Sequence, residues 1–277
     1  MVGVILSCEL SVMEDSAKIA TLGPNLSHQL HHALTADKNE LRQVLQSSSM
    51  EVLRAALKNP SLDEAHLLAL LERRDLSEEL LKAVSSLPAV GESHNLKVAV
   101  VRNPNTPGQV TLALLPHLYL FELVTICYLP GVTPDQKLAA ERAVIQRLPG
   151  TPLGNKLTLA RRGTANIIEA LLREGDAQVI DACLTNPRIK ESAIFQFLSS
   201  AKASAETISL IARHPRWKTR PNLITALLRN QKTPVVWYNL FLPTLNTAEI
   251  RNLLASQRLS QTQKVAVDEE LKRRRQR

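Results

Sequence analysis

The chain has 277 residues, 44% of them hydrophobic, 22% charged and only 3% aromatic, with a formal net charge of +8. These globular proportions exclude a wholly disordered, collagen-like or disulfide-stapled miniprotein. The basic balance, with a sequence pI near 9.6, suits an anionic partner: nucleic acid, anionic lipid or an acidic protein.

The N-terminal run MVGVILSCELSVM is apolar, but no Lys or Arg precedes it and only seven residues precede Cys8. A secretory leader needs a charged start and a longer apolar core, so residues 1–23 read as an N-terminal extension or cap. Beyond it, no stretch approaches the roughly 20 uninterrupted apolar residues of a membrane span. Cys8, Cys127 and Cys183 are far apart and none sits in a CxxC. No disulfide framework, zinc site or iron–sulfur site is predicted, and the cysteine usage points to a reducing cytoplasm.

In SHQLHHAL, His28 and His32 have the i, i+4 spacing of a helical metal pair, with Asp37 and Glu40 as the nearest carboxylates. No further ligand is close, so the segment reads as the first helix of an array and no metal is predicted. EVLRAALKN follows, with Val52, Leu53, Ala56 and Leu57 on one helical face. Asn59-Pro60 then stops it. The next joint, RNPNTP at 102–107, predicts stop, turn and restart: Asn103-Pro104 ends a helix because a residue before proline leaves the α region. Thr106 is expected to cap the next helix and Pro107 to take its first position. LPGVTPDQK (129–137) and LPGTPLGNK (148–156) contain Gly and Lys without P-loop spacing. They read as loops in which Thr133-Pro134 and Thr151-Pro152 start helices.

Ile167, Ile168, Leu171 and Leu172 mark the next amphipathic helix, Asn186-Pro187 another joint, and Ile208, Ile211 and Ala212 a further helix. A basic stretch comes next: no acid occurs between Glu206 and Glu249, while Arg213, Arg216, Lys218, Arg220, Arg229 and Lys232 do, among Trp217, Trp237 and Tyr238. The second joint, RNQKTP at 229–234, keeps Asn230, Thr233 and Pro234 and loses the first proline. The chain ends in the basic LKRRRQR.

Sliding the sequence by 127 residues aligns 51–147 with 178–274 without a gap, giving 25 identities in 97 positions, where roughly six are expected by chance. A finer spacing of 44 separates Asn59 from Asn103 and Asn186 from Asn230. One third of the longer period is about 42, within the range of two- or three-helix repeats. The expected domains are a first half at 24–150 and a second at 151–277, about three repeats each.

On this period, the short helices and the Asn-Pro joints, residues 24–277 resemble HEAT-like and armadillo-like α-solenoids, especially bacterial arrays of short-helix repeats. The resemblance implies an all-α, right-handed solenoid of about six repeats. One related class carries an iron–sulfur cysteine cluster; these residues lack it, and no cofactor is carried over. The resemblance also offers a second reading of Asn103 and Asn230, with Arg102 and Arg229, as a ligand comb of the kind that holds extended peptides; turn chemistry is the simpler one.

No paired carboxylates, nucleophile–base set or phosphate loop emerges. Glu122 and Glu249, and Glu79 and Glu206, are equivalent under the shift and read as repeated caps or salt bridges. The expectation is a non-enzymatic scaffold that binds a protein or peptide, with no small-molecule substrate. The alternative is nucleic-acid binding through residues 213–232, with Trp217 exposed for stacking; the simpler reading of that stretch is a solvated rim with Trp217 packed between repeats. HEAT-like DNA glycosylases need an acid beside groove aromatics, and no acid lies near Trp217 or Trp237. The basic residues are peculiar to the second half: Ser86, Ala89, Gly91 and Ser93 stand where Arg213, Arg216, Lys218 and Arg220 sit.

Overall fold

The computed structural model describes residues 24–255 and 258–276; the predicted extension 1–23, with Cys8, lies outside them. The described chain is all α-helix with three short 3-10 turns and no strand. It divides into two compact units at Ala139/Ala140.

The first unit comprises α1 (Pro24–Thr35), α2 (Lys38–Val44), α3 (Met50–Ala56), α4 (Glu64–Leu71), α5 (Glu78–Ser85), α6 (Pro88–Glu92), α7 (His94–Arg102), α8 (Gly108–Leu114), α9 (Leu120–Ile126) and the start of α10 (Pro134–Arg147). The second contains the rest of α10, then α11 (Leu153–Arg162), α12 (Ala165–Glu174), α13 (Ala177–Thr185), α14 (Glu191–Leu198), α15 (Ala205–Arg213), α16 (Pro221–Leu228), α17 (Val235–Phe241), α18 (Thr247–Ala255) and α19 (Gln261–Arg275).

Most of these helices are too short to stand alone in water, so packing must hold them. Many pack on the next but one, α1 on α3 and α3 on α5, and in the second unit α11 on α13, α13 on α15, α12 on α14 and α14 on α16; in the first unit α4 packs on α7 across the short α6. Within each unit two layers result, a first of α1, α3 and α5 or of α11, α13 and α15 and a second of α4 and α7 or of α12, α14 and α16, with the core between them. Leu53, Leu80 and Leu96 are fully buried in one unit, and Ile167, Ile180 and Ile208 in the other.

Local chemistry sets the boundaries. Asp37, Ser49, Ser77 and Thr164 each accept a backbone N–H from the first turn of the helix that follows, satisfying donors that a helix leaves open. Gly175 ends α12 at φ 84°, where a side chain would be strained. At Gly163 an added Cβ would come within 2.6 Å of the Leu159 carbonyl oxygen. No buried side-chain nitrogen or oxygen among the described residues lacks a partner.

Shifted by 127, helix boundaries coincide: α4 (64–71) falls on α14 (191–198), α5 (78–85) within α15 (205–213), and α10 (134–147) within α19 (261–275). Helix α6 has no counterpart; residues 215–219 form turns instead.

Candidate functional site

The four asparagines of the joints do the same thing. Asn59, Asn103 and Asn186 are buried and Asn230 half-buried. Each Oδ1 accepts the N–H two residues ahead: Ser61 at 2.7 Å, Asn105 at 3.1 Å, Arg188 at 2.8 Å and Lys232 at 2.9 Å. Each Nδ2 reaches back to the C-terminal carbonyls of an earlier helix. Asn59 donates to Ala33 and Ala36, Asn103 to Leu71 (2.9 Å) and Arg73 (2.7 Å), Asn186 to Ala160 and Arg161, and Asn230 to Leu198 at 2.6 Å. A helix end leaves such carbonyls unpaired, so the amide closes its own turn and clamps the neighbouring one. At Asn103 both amide hydrogens and the oxygen are already committed, so that side chain serves the turn and not a ligand comb.

The threonine expectation needs a correction. Thr106 and Thr233 are buried and do not cap the following helix. Their hydroxyls donate backward to the carbonyls of Val100 (2.5 Å) and Leu227 (2.6 Å). Thr106 is the last residue of the turn that begins at Asn103. Its side chain therefore faces the helix just finished, and Pro107 and Pro234 occupy the N-cap position. Thr151 likewise bonds back to Arg147. Only Thr133 among these caps forward, in a reciprocal pair with Gln136. Pro60, Pro104 and Pro187 lie at exposed positions next to their asparagines.

The basic stretch divides into committed and uncommitted groups. Trp217 is 3% exposed and its Nε1 donates to the Leu184 carbonyl at 3.2 Å, which agrees with the packed reading and removes the stacking platform. The indole packs as a wedge because its N–H finds an open helix-end carbonyl. Arg216 lies over that ring at 4.4 Å and donates to the carbonyls of Asn186 and Pro187. Arg220 sits 4.0 Å from Glu191, and the Lys232 ammonium donates to the Ala201 carbonyl at 2.8 Å. Tyr238 is fully buried with its hydroxyl on the Leu228 carbonyl, and burial pushes that hydroxyl well above the usual phenol range. Half-buried Trp237 donates to Ser209 Oγ at 2.9 Å. Arg213, Lys218 and Arg229 project from exposed positions.

Open grooves run beside the second layer. The largest, about 650 Å³, lies between α4 and α7 and is lined by Leu68, Glu72, Arg74, Val98, Arg102 and Glu122. Another, about 510 Å³, lies against α4 at Arg42, Ala65 and Ala69, and one of about 340 Å³ recurs at the shifted position by Glu169, Ala193 and Gln196. At the rim of the largest, His94 Nε2 lies 2.9 Å from both Glu122 oxygens, and the exposed Tyr119 ring stacks on the imidazole at 4.0 Å. Glu122 accepts the Tyr119 N–H, and Glu249 the Asn246 N–H; both acids therefore act as caps. Glu79 pairs with Arg54.

Cys183 is buried, and desolvation pushes its thiol up to about 12. It stays a neutral core group at physiological pH. Among the described residues no three His, Cys, Asp or Glu side chains group as a metal site, His28 and His32 included. No described helix is long and apolar enough to cross a membrane.

The charge asymmetry visible in the sequence at 213–220 extends over the whole of each unit. Residues 140–277 hold 23 Lys and Arg against 11 Asp and Glu, a net +12, whereas residues 1–139 hold 11 against 15, a net −4. No protein-family model, curated protein or solved structure matches this chain.

Proposed function

We propose that this chain is a tandemly duplicated α-solenoid acting as a non-enzymatic scaffold, and that it binds a protein or peptide segment along the grooves beside its second helix layer. Support for the duplication comes from bonds repeated at the same shift: Asn103 to Leu71 and Asn230 to Leu198, Thr106 to Val100 and Thr233 to Leu227. The binding reading is carried by one observation. The groove between α4 and α7 is open, and apolar Leu68 and Val98 lie in it among Arg74, Arg102, Glu72 and Glu122. A short segment with an apolar anchor and charges on either side fits that lining, and preformed walls lower the ordering cost.

Selection of displayed random peptides against the full chain tests this reading. The expected outcome is a consensus with an apolar anchor and flanking charge, whose members lose binding to Val98→Asp and Arg102→Glu. Peptides that bind both variants as well as they bind the parent protein would contradict it.

The second reading, nucleic-acid binding by the second unit, is favoured by its net +12. The exposed-tryptophan version of it is withdrawn.

A further inference from the structure

Seven cations lie on three consecutive joints along one edge of the second unit. Arg161 and Arg162 end α11, Arg188 and Lys190 lie between α13 and α14, and Arg216, Lys218 and Arg220 lie between α15 and α16; all seven are exposed. The joints touch in series. The Asn186 amide binds the carbonyls of Ala160 and Arg161, the Arg216 guanidinium binds those of Asn186 and Pro187, and the Trp217 indole binds that of Leu184. The row is therefore one surface, running about 20 Å at the usual spacing of packed helices.

The first unit has no such row. Its counterparts, Leu34, Thr35, Ser61, Asp63, Ala89, Gly91 and Ser93, are neutral or acidic. The asparagine turn at 186 repeats the one at 59 while the charge beside it does not, and at 215–219 turns replace the helix of the first unit.

We propose that this edge binds the phosphate backbone of double-stranded nucleic acid, without reading bases. The proposal deepens the nucleic-acid reading above and rests on it. Three observations favour duplex phosphate over other polyanions. Five of the seven cations are arginines, whose planar fork matches phosphate oxygens. Trp217 is buried, so the edge lacks the aromatic platform on which unpaired bases stack. No large hydrophobic side chain is exposed at 161–163, 185–191 or 213–222, so a protein partner finds no apolar anchor there.

The test is fluorescence anisotropy of the full chain with a labelled DNA duplex of about 20 base pairs, its single strand, and a Glu-rich peptide. The edge variant is Arg161→Gln, Lys190→Gln and Lys218→Gln; the control variant removes as many exposed charges elsewhere in the unit, at Arg142, Arg251 and Lys272, also to Gln. The expected result is duplex binding tighter than the other two probes, weakened about 10- to 100-fold in the edge variant and less than about threefold in the control. Duplex binding that both variants weaken equally, or that neither weakens, leaves the nucleic-acid reading standing and removes the edge. Tighter binding of the single strand or of the peptide overturns the duplex assignment. Binding of no probe overturns both the edge and the reading on which it rests.

Discussion

The side-chain amide of Asn103 donates to the carbonyl oxygen of Leu71 at 2.9 Å, joining the end of α7 to the end of α4. A second hydrogen of the same amide goes to Arg73 at 2.7 Å, and its oxygen holds the Asn105 N–H. One buried side chain thus closes a turn and fixes the spacing of two helices too short to be stable alone.

Replacing Asn103 by Ala strands those partners in a buried site. The cost is expected to be about 2–4 kcal/mol in urea unfolding of the full chain. Asn103→Asp keeps the acceptor, loses both donors and turns a carboxylate toward two carbonyls, so it should destabilise at least as much. An Asn103→Ala protein within about 0.5 kcal/mol of the parent would show that the clamp does not hold the helices.

Trp217 should be shielded from acrylamide, since its ring is packed under Arg216 and its N–H is bonded to Leu184. In a Trp237→Phe protein, where Trp217 is the remaining tryptophan, weak quenching and a blue-shifted emission are expected. Trp217→Phe should cost about 1–3 kcal/mol through the unpaired Leu184 carbonyl while leaving affinity for any anionic partner unchanged. Strong quenching would restore the exposed platform that the sequence suggested.

His214 stands at the α15–α16 joint as Asn186 stands at the α13–α14 joint, and its Nδ1 accepts the Arg216 N–H at 3.3 Å. Burial holds its pKa below the usual value; nearby Asp181 pulls it up and Arg216 pushes it down. Because the folded value is the lower one, the unfolded chain takes the proton first. The joint's stability is therefore fully present above the ordinary histidine range and is lost as pH falls through the folded value. His214→Asn supplies a non-titrating acceptor of the kind used at 186 and 230. Its unfolding free energy should fall less than the parent's between pH 7 and pH 5, and parallel curves would contradict the assignment.

Helices were legible in the sequence because Pro, Gly and Asn punctuate them and apolar residues recur at i and i+4. What the side chains do at the joints was less legible. The partners of Asn59, Asn103 and Asn186 lie on another helix, more than twenty residues upstream, where no local pattern points. Thr106 beside Pro107 looks like a cap, yet Thr106 closes the turn from Asn103 and its hydroxyl faces Val100. Trp217 among arginines read either as a stacking platform or as a residue packed between repeats, and the packed reading holds, with its N–H on Leu184. The cationic row was partly visible: Arg216, Lys218 and Arg220 stood out as a cluster, whereas Arg161, Arg162, Arg188 and Lys190 join them only once the joints are seen to touch.

The partition of charge between the units, with an edge built for phosphate on the second, is tested most directly by the salt dependence of duplex binding to the full chain. The edge carries seven cations, and phosphate contact by five to seven of them sets the expected salt dependence. The logarithm of affinity against the logarithm of salt concentration should then fall with a slope between about −4 and −6. A slope near zero, or affinity that does not change with salt, would contradict it.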